Sequence, residues 1–342
     1  MPGIFAATRA RPFFVSSPTP YSQESQPALD REYLVAAPWE PRPPRAAHPP
    51  LKSLVLACGL FLLTVFTCLA AGRQFAVAYA HSQAVSMEEF VRSLVLLYRN
   101  PAALLAGWPF AVTLLTILLA HELGHYFACR HHHIHSSYPF FVPAPTLIGT
   151  LGAFILIRSP IRSKRALLDV GASGPLVGFL LTIPALAYGV WHARVVTDLT
   201  TNAEVVFGMP LLLKWLAHVL RPGIAPGTLL LDPVGRAAWV GLFATSLNLL
   251  PAGQLDGGHI LRSLSPRGHR YFTLYLPVAL LVLGYFLWWV WYVWAALLFG
   301  LRFLRTAPVY DETPLDPRRK LAALITLAVL LLCFMPAPIL NL

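Results

Sequence analysis

Ala111-Val-Thr-Leu-Leu-Thr-Ile-Leu-Leu-Ala120 runs straight into His121-Glu122-Leu123-Gly124-His125. The first ten residues carry no charge and suit a lipid-spanning helix. In a helix, residues four apart share a face, so the two imidazoles can grip one Zn²⁺. Glu122, beside the first histidine, is then placed as general base toward a water activated by the metal. Ionisable side chains at membrane depth are costly unless partnered, about 2.5 kcal/mol or more each. Three of them at the end of a spanning helix therefore point to a hydrolytic metal site that cuts peptide bonds at or within the bilayer.

The rest of the chain agrees with a membrane setting. Of 342 residues, 56% are hydrophobic and 12% charged, about half the charged share of an ordinary soluble protein. Apolar runs recur at 54–71, 102–129, 170–191, 233–250, 272–304 and 321–335. The 272–304 run exceeds the roughly 20 residues that one crossing needs, so it is read as two short helices turning near Gly284–Leu287. The expected fold is an all-α polytopic membrane protein of about seven transmembrane helices, with a zinc site between core helices. Residues 139–157, rich in Pro, Gly and β-branched residues, predict a membrane-associated β-hairpin. Residues 205–220 predict an amphipathic helix at the opposite interface. Residues 1–50 hold 11 of the 31 prolines and read as a disordered tail, leaving 51–342 as the membrane protease domain, with its catalytic core at about 100–265.

The formal charge of +11 follows topology and gives no nucleic-acid binding patch, so no nucleic-acid partner is expected. With the N-terminus in the cytoplasm, most Lys and Arg fall on the inner side, including Arg130, Arg158, Arg162, Lys164, Arg165, Arg318, Arg319 and Lys320. His121 then lies about 25 Å along the helix from Leu104, toward the cytoplasmic face. The acidic residues Glu24, Asp30, Glu32 and Glu40 make the tail a poor organelle transit peptide, which favours a bacterial inner membrane.

A catalytic zinc takes three protein ligands and keeps one position open. The candidate third ligand is Asp256, in Asn248-Leu-Leu-Pro-Ala-Gly-Gln-Leu-Asp-Gly-Gly-His259. Pro251, Gly253, Gly257 and Gly258 break the helix there and let an aspartate turn back toward the metal. His121-Glu122-x-Gly124-His125 paired with Asn248-x-x-Pro251-x-x-x-Leu255-Asp256-Gly257-Gly258 resembles the site-2 protease family of intramembrane zinc metalloproteases (peptidase M50-like). Gly171-Ala-Ser-Gly174-Pro175-Leu-Val-Gly178 is similar to that family's glycine-rich core helix. Within the family the likeness is greatest to the branch that holds the chloroplast EGY-type proteins and their bacterial relatives.

The resemblance implies His121, His125 and Asp256 as zinc ligands, Glu122 as the catalytic base and Asn248 as a substrate-binding residue. It also implies a transmembrane segment of another protein as substrate, offered to the 139–157 hairpin as an added strand, in regulated intramembrane proteolysis. A catalytically inactive zinc-containing scaffold is the alternative, and a zinc transporter using the His131, His132, His133 and His135 tract a further one. That tract lies outside the family's ligand positions and is read as an interfacial cluster. His259 is likewise set aside. Trp288, Trp289, Trp291 and Trp294 are read as an interfacial belt, and Cys58, Cys68, Cys129 and Cys333 as small apolar packing residues.

Overall fold

The computed structural model describes residues 51–85, 87–196, 205–303, 311 and 313–340; the tail expected at 1–50 lies outside them. Helix α1 (Leu51–Ala80) is uncharged from Leu54 to Gly72, and its Val55, Leu62, Leu63 and Phe66 remain exposed, as a lipid-facing surface requires. An amphipathic helix α2 (Met87–Arg99) follows, tied back to α1 by Glu89, which accepts from Arg73 at 3.0 Å. After a 3₁₀ turn at Pro101–Gly107 comes α3 (Trp108–His131), the helix that carries the His-Glu pair.

The expected hairpin forms from β1 (Phe140–Pro143) and β2 (Thr150–Phe154), antiparallel, with Phe140 opposite Phe154 and Phe141 opposite Ala153. The register shifts before Pro143, which has no N–H to give the ladder. On its β1 side the hairpin leans on α1: the rings of Phe141 and Phe61 meet edge to face at 5.0 Å. Gln74 of α1 donates its side-chain amide to the Leu147 carbonyl at 2.9 Å. The second edge of β2 pairs with no strand among the described residues.

Helix α4 (Lys164–Trp191) starts at Ser163, whose hydroxyl caps the Ala166 N–H. Beyond it come β3 (Arg194–Val195), β4 (Val206–Phe207), α5 (Leu211–Leu220) and β5 (Leu229–Leu230). β5 pairs with β3. The interfacial helix expected at 205–220 is thus a strand followed by a shorter helix. Helix α6 (Pro233–Asn248) is buried almost all round, then come α7 (Asp256–Leu264), α8 (Pro266–Phe286), α9 (Val290–Leu301) and α10 (Pro317–Cys333). The short strand β6 (Ile339–Leu340) pairs with β4. Three helices begin alike, with Asp232-Pro233, Ser265-Pro266 and Asp316-Pro317 each supplying an N-cap oxygen and then a proline at N1, where no intrahelical N–H is needed.

Two expectations are met only in part. The fold is mostly helical rather than all-α, because two-residue strand pairs join the outer loops and the C-terminus. Seven crossings are not established: among the described residues three helices, Leu51–Ala80, Pro101–His131 and Lys164–Trp191, are long and apolar enough to span a membrane. For three of the other four the reason is length, whereas α8, with 21 residues, is long enough but polar at its start, where Arg267, His269 and Arg270 stand. With 16, 12 and 17 residues, α6, α9 and α10 reach only about 24, 18 and 26 Å at 1.5 Å per residue, short of ~30 Å of hydrocarbon. The 272–304 run does break into two helices, at Leu287–Trp289. Its tryptophans are not a lipid-facing belt. Trp291 is fully buried and donates its indole N–H to the Pro336 carbonyl at 2.7 Å, and Trp288 is buried beside it, while Trp289 is exposed.

Candidate metal centre

The site is assembled from α3, α4, α6 and α7. On α3, His121, Glu122 and His125 are all buried. The chain leaves α6 at Asn248 and turns through Pro251–Leu255, with Gly253 at φ +58°, a conformation that favours glycine. Two α8 side chains brace this turn: the Thr273 hydroxyl accepts from the Gly253 N–H at 3.1 Å, and the His269 ring donates to the Gly253 carbonyl at 3.0 Å. The turn delivers Asp256 as the first residue of α7, where the positive end of the helix dipole favours a carboxylate.

Three donor atoms converge. Nε2 of His121 and Nε2 of His125 are 3.1 Å apart, and Oδ2 of Asp256 is 3.2 Å from each. For zinc bonds of about 2.0–2.1 Å, a tetrahedral edge is about 3.3 Å, so this triangle matches one face of such a tetrahedron. His125 is oriented from behind, because its Nδ1–H donates to the Val170 carbonyl of α4 at 2.7 Å. That bond puts the proton on Nδ1 and leaves the Nε2 lone pair facing the triangle. Lone pairs crowded this closely call for a cation, and two imidazoles with a carboxylate suit zinc. Among the described residues this is the one His/Cys/Asp/Glu group arranged to hold a metal.

Packing makes the approach possible. Gly124 of α3 faces the Ser173 carbonyl of α4, and a β-carbon there would come within 2.7 Å of it. Across the same contact, a β-carbon on Gly174 would collide with the His125 ring. The glycine-rich segment of α4 is therefore the surface on which the ligand-bearing face of α3 rests.

A cavity of about 90 Å³ opens beside the triangle, lined by His121, Glu122, Gly152, Ala153, Thr245 and Asn248. At roughly 10–15 Å³ per water by this measure it has room for several waters. The Glu122 carboxylate accepts from the Ile155 backbone N–H, which ties it to the end of the hairpin. Asn248 brings its side-chain nitrogen to 3.3 Å from His121 Nε2. A second, more apolar cavity of about 230 Å³ adjoins the first, sharing Leu118, Leu151, Gly152, Leu247 and Trp294.

All five candidate residues thus meet at one place. Residues 109–286, half of the chain, match Peptidase family M50. The chain belongs to this family. Among similar proteins, a probable zinc metalloprotease EGY2, chloroplastic, of Arabidopsis thaliana is 32% identical over 248 residues, 70% of this chain and 44% of that protein. A probable zinc metalloprotease EGY1, chloroplastic, of Oryza sativa subsp. japonica is 29% identical over 230 residues, covering 62% and 38%. The chain thus spans less than half the length of these relatives. No solved structure matches it. Membership in M50 makes zinc the metal expected for the His121–His125–Asp256 group.

The M50 motifs do not reveal everything around the site. The histidine tract forms no metal group among the described residues: His132 donates to Asp169 at 2.8 Å, while His131 and His133 are exposed. Asp169 also takes a two-pronged bond from Arg319, at 2.6 and 2.9 Å, which fastens α10 to α4 and the end of α3. An acidic residue just before the apolar 170–191 run was the available signal. The backbone groups of Val170 and Ile155 that orient His125 and Glu122 leave no mark in the sequence, since any residue supplies them.

Proposed function

We propose that this chain is a zinc-dependent endopeptidase that cleaves transmembrane or membrane-proximal segments of other membrane proteins, in regulated intramembrane proteolysis. The observation that carries this is the convergence of His121, His125 and Asp256 within 3.2 Å beside the buried, hydrogen-bonded carboxylate of Glu122. In this reading His121, His125 and Asp256 ligate the metal and Glu122 is the catalytic residue. Zinc supplies Lewis-acid polarisation of the scissile carbonyl and brings the pKa of water at the site toward ~7. Glu122 takes a proton from the attacking water and delivers it to the nitrogen of the departing amine. The Ile155 N–H keeps the carboxylate aimed at the cavity during both transfers. Asn248 offers an amide donor to a substrate carbonyl.

A peptide bond inside a helix is poorly open to attack, so the substrate must unwind, and its freed backbone groups then need partners. The edge of β2 beside the cavity, which pairs with no strand among the described residues, supports strand addition as the answer. The exposed Leu151 and the neighbouring apolar cavity give its side chains a place to lie. We place the whole unit in residues 51–342, with the core at about 100–265 and the 1–50 tail apart from it. The distribution of Lys and Arg supports a cytoplasmic N-terminus.

The deciding experiment compares purified wild type with Glu122→Gln for zinc content and for cleavage of a membrane-embedded test substrate. Loss of cleavage by about 10²-fold or more with about one zinc per chain retained is expected. Equal cleavage by the two proteins would sink the assignment of Glu122, and a wild type without zinc would sink the function.

A further inference from the structure

A second polar site lies at the other end of α6. Arg236, in its first turns, is only 7% exposed. Its guanidinium lies 4.0 Å over the Phe207 ring and 5.9 Å from that of Phe75. Among the described residues it has no ion pair and no side-chain hydrogen bond. Asp232, one turn earlier, does not neutralise it, because its carboxylate accepts from the N–H groups of Gly235 and Val234. Arg236 instead lines a cavity of about 90 Å³ together with Phe207, Gly208, Leu213, Leu230 and Trp239.

A guanidinium is always charged, and burying it without a counter-ion is costly. Stacking on aromatic faces leaves its N–H edge unused, and that edge is a planar fork matched to two oxygens of one anion. Twelve positions apart, Arg236 and Asn248 are separated by about 18 Å along the helix, so the cavity is separate from the metal centre.

We infer that Arg236 forms an oxyanion site for a phosphate group, supplied by a phospholipid headgroup. The lipid source follows from α5, which lends Leu213 to the cavity wall and turns Leu211, Trp215 and Val219 outward. Those three, spaced four apart, form an exposed apolar stripe on the face of α5 opposite Leu213, suited to lie in the bilayer interface, which sets the cavity at headgroup depth.

The test titrates phosphatidylglycerol onto the detergent-solubilised full chain and counts bound lipid by native mass spectrometry. In parallel, the unfolding midpoint is followed with inorganic phosphate against chloride at equal ionic strength. Wild type is expected to take up one lipid about ten-fold or more tightly than Arg236→Met. Arg92→Gln, which removes an exposed arginine of α2, should bind like wild type. Arg236→Lys keeps the charge without the fork and should fall between; it serves as the readout should Arg236→Met not fold.

Stabilisation of wild type alone by inorganic phosphate, without a lipid difference, would keep the oxyanion site and overturn the lipid source. Identical behaviour of wild type and Arg236→Met toward both probes overturns the site. Asp198 and Glu204 lie in a segment outside the described residues. A phosphate response that arises only in Asp198→Asn or Glu204→Gln would mean that the chain's own carboxylate serves Arg236, which also overturns the proposal.

Discussion

Gly174 of α4 lies directly against the imidazole of His125 on α3, in the space a β-carbon would fill. One turn earlier on α4, the Val170 carbonyl accepts the Nδ1–H of the same ring. One helix thus both clears room for this ligand and fixes its tautomer. Gly174→Ala should therefore damage the metal centre before it damages the fold. A fall in zinc affinity of about 10–100-fold is expected, as for loss of an orienting partner, with an overpacking cost of about 1–3 kcal/mol. Zinc competition and thermal midpoints measure the two. Gly59→Ala, in open space on α1, is the control and should change stability by no more than about 1 kcal/mol.

Removing Asp256 tests the third ligand. Asp256→Ala leaves two imidazoles 3.1 Å apart without the anion that offsets the metal's charge. Zinc retention should fall by more than the roughly 100-fold upper range for an outer partner, with cleavage falling alongside. Chelation of wild type should lower its melting temperature and added zinc should restore it. A variant that still holds stoichiometric zinc through dialysis would remove Asp256 from the ligand set.

His269 makes the Asp256 turn sensitive to acid. Burial holds its ring below the usual imidazole range; the Gly253 carbonyl that accepts from it pulls upward, and Arg262 adds a further downward push. A depressed pKa means that folding favours the neutral ring. Its stabilising contribution is thus complete above about pH 6.5, the unfolded value, and is lost as pH falls through the lower folded value. Hydrogen exchange at residues 252–256 should rise on acidification from pH 7 to pH 5. In His269→Gln, which retains an N–H donor but does not titrate, the rise should be smaller; an equal rise would place the sensitivity elsewhere.

Gln74 anchors the hairpin tip from within α1, and apart from its bond to the Leu147 carbonyl it is surrounded by protein. Gln74→Leu removes that donor and leaves the carbonyl without it, but also removes the buried Oε1, which has no hydrogen-bond partner among the described residues, so the net cost is about 1 kcal/mol. The consequence should be local. Exchange at residues 146–150 should increase and cleavage should weaken, while zinc content stays unchanged. Unaltered exchange there would show that the tip is held by other contacts.

Much of the site was legible because its chemistry is unusual for its setting. Ionisable residues inside an apolar helix need partners, and His121, Glu122 and His125 announce theirs by spacing. Asp256 was legible as an acid in a helix-breaking Pro-Gly stretch. The number of crossings was not, because apolarity alone does not separate a helix bathed in lipid from α6, which is apolar because protein surrounds it. The same ambiguity misled the reading of Trp288 and Trp291, whose rings fill the core. Asp169 of α4, Arg319 of α10 and His132, just past the end of α3, form a tie that no local spacing encodes.

What the sequence by itself determined is the local chemistry: which residues can bind a metal, which stretches avoid water, and where proline and glycine stop or start helices. These follow from side-chain type and backbone freedom within a few residues. The tertiary structure alone decided that Asp256 reaches two histidines 135 and 131 positions away, that the Ile155 and Val170 backbone groups orient Glu122 and His125, and that Arg236 is buried beside a cavity. Those outcomes depend on how helices pack, and close packing is set by the shapes of surfaces distant in the chain.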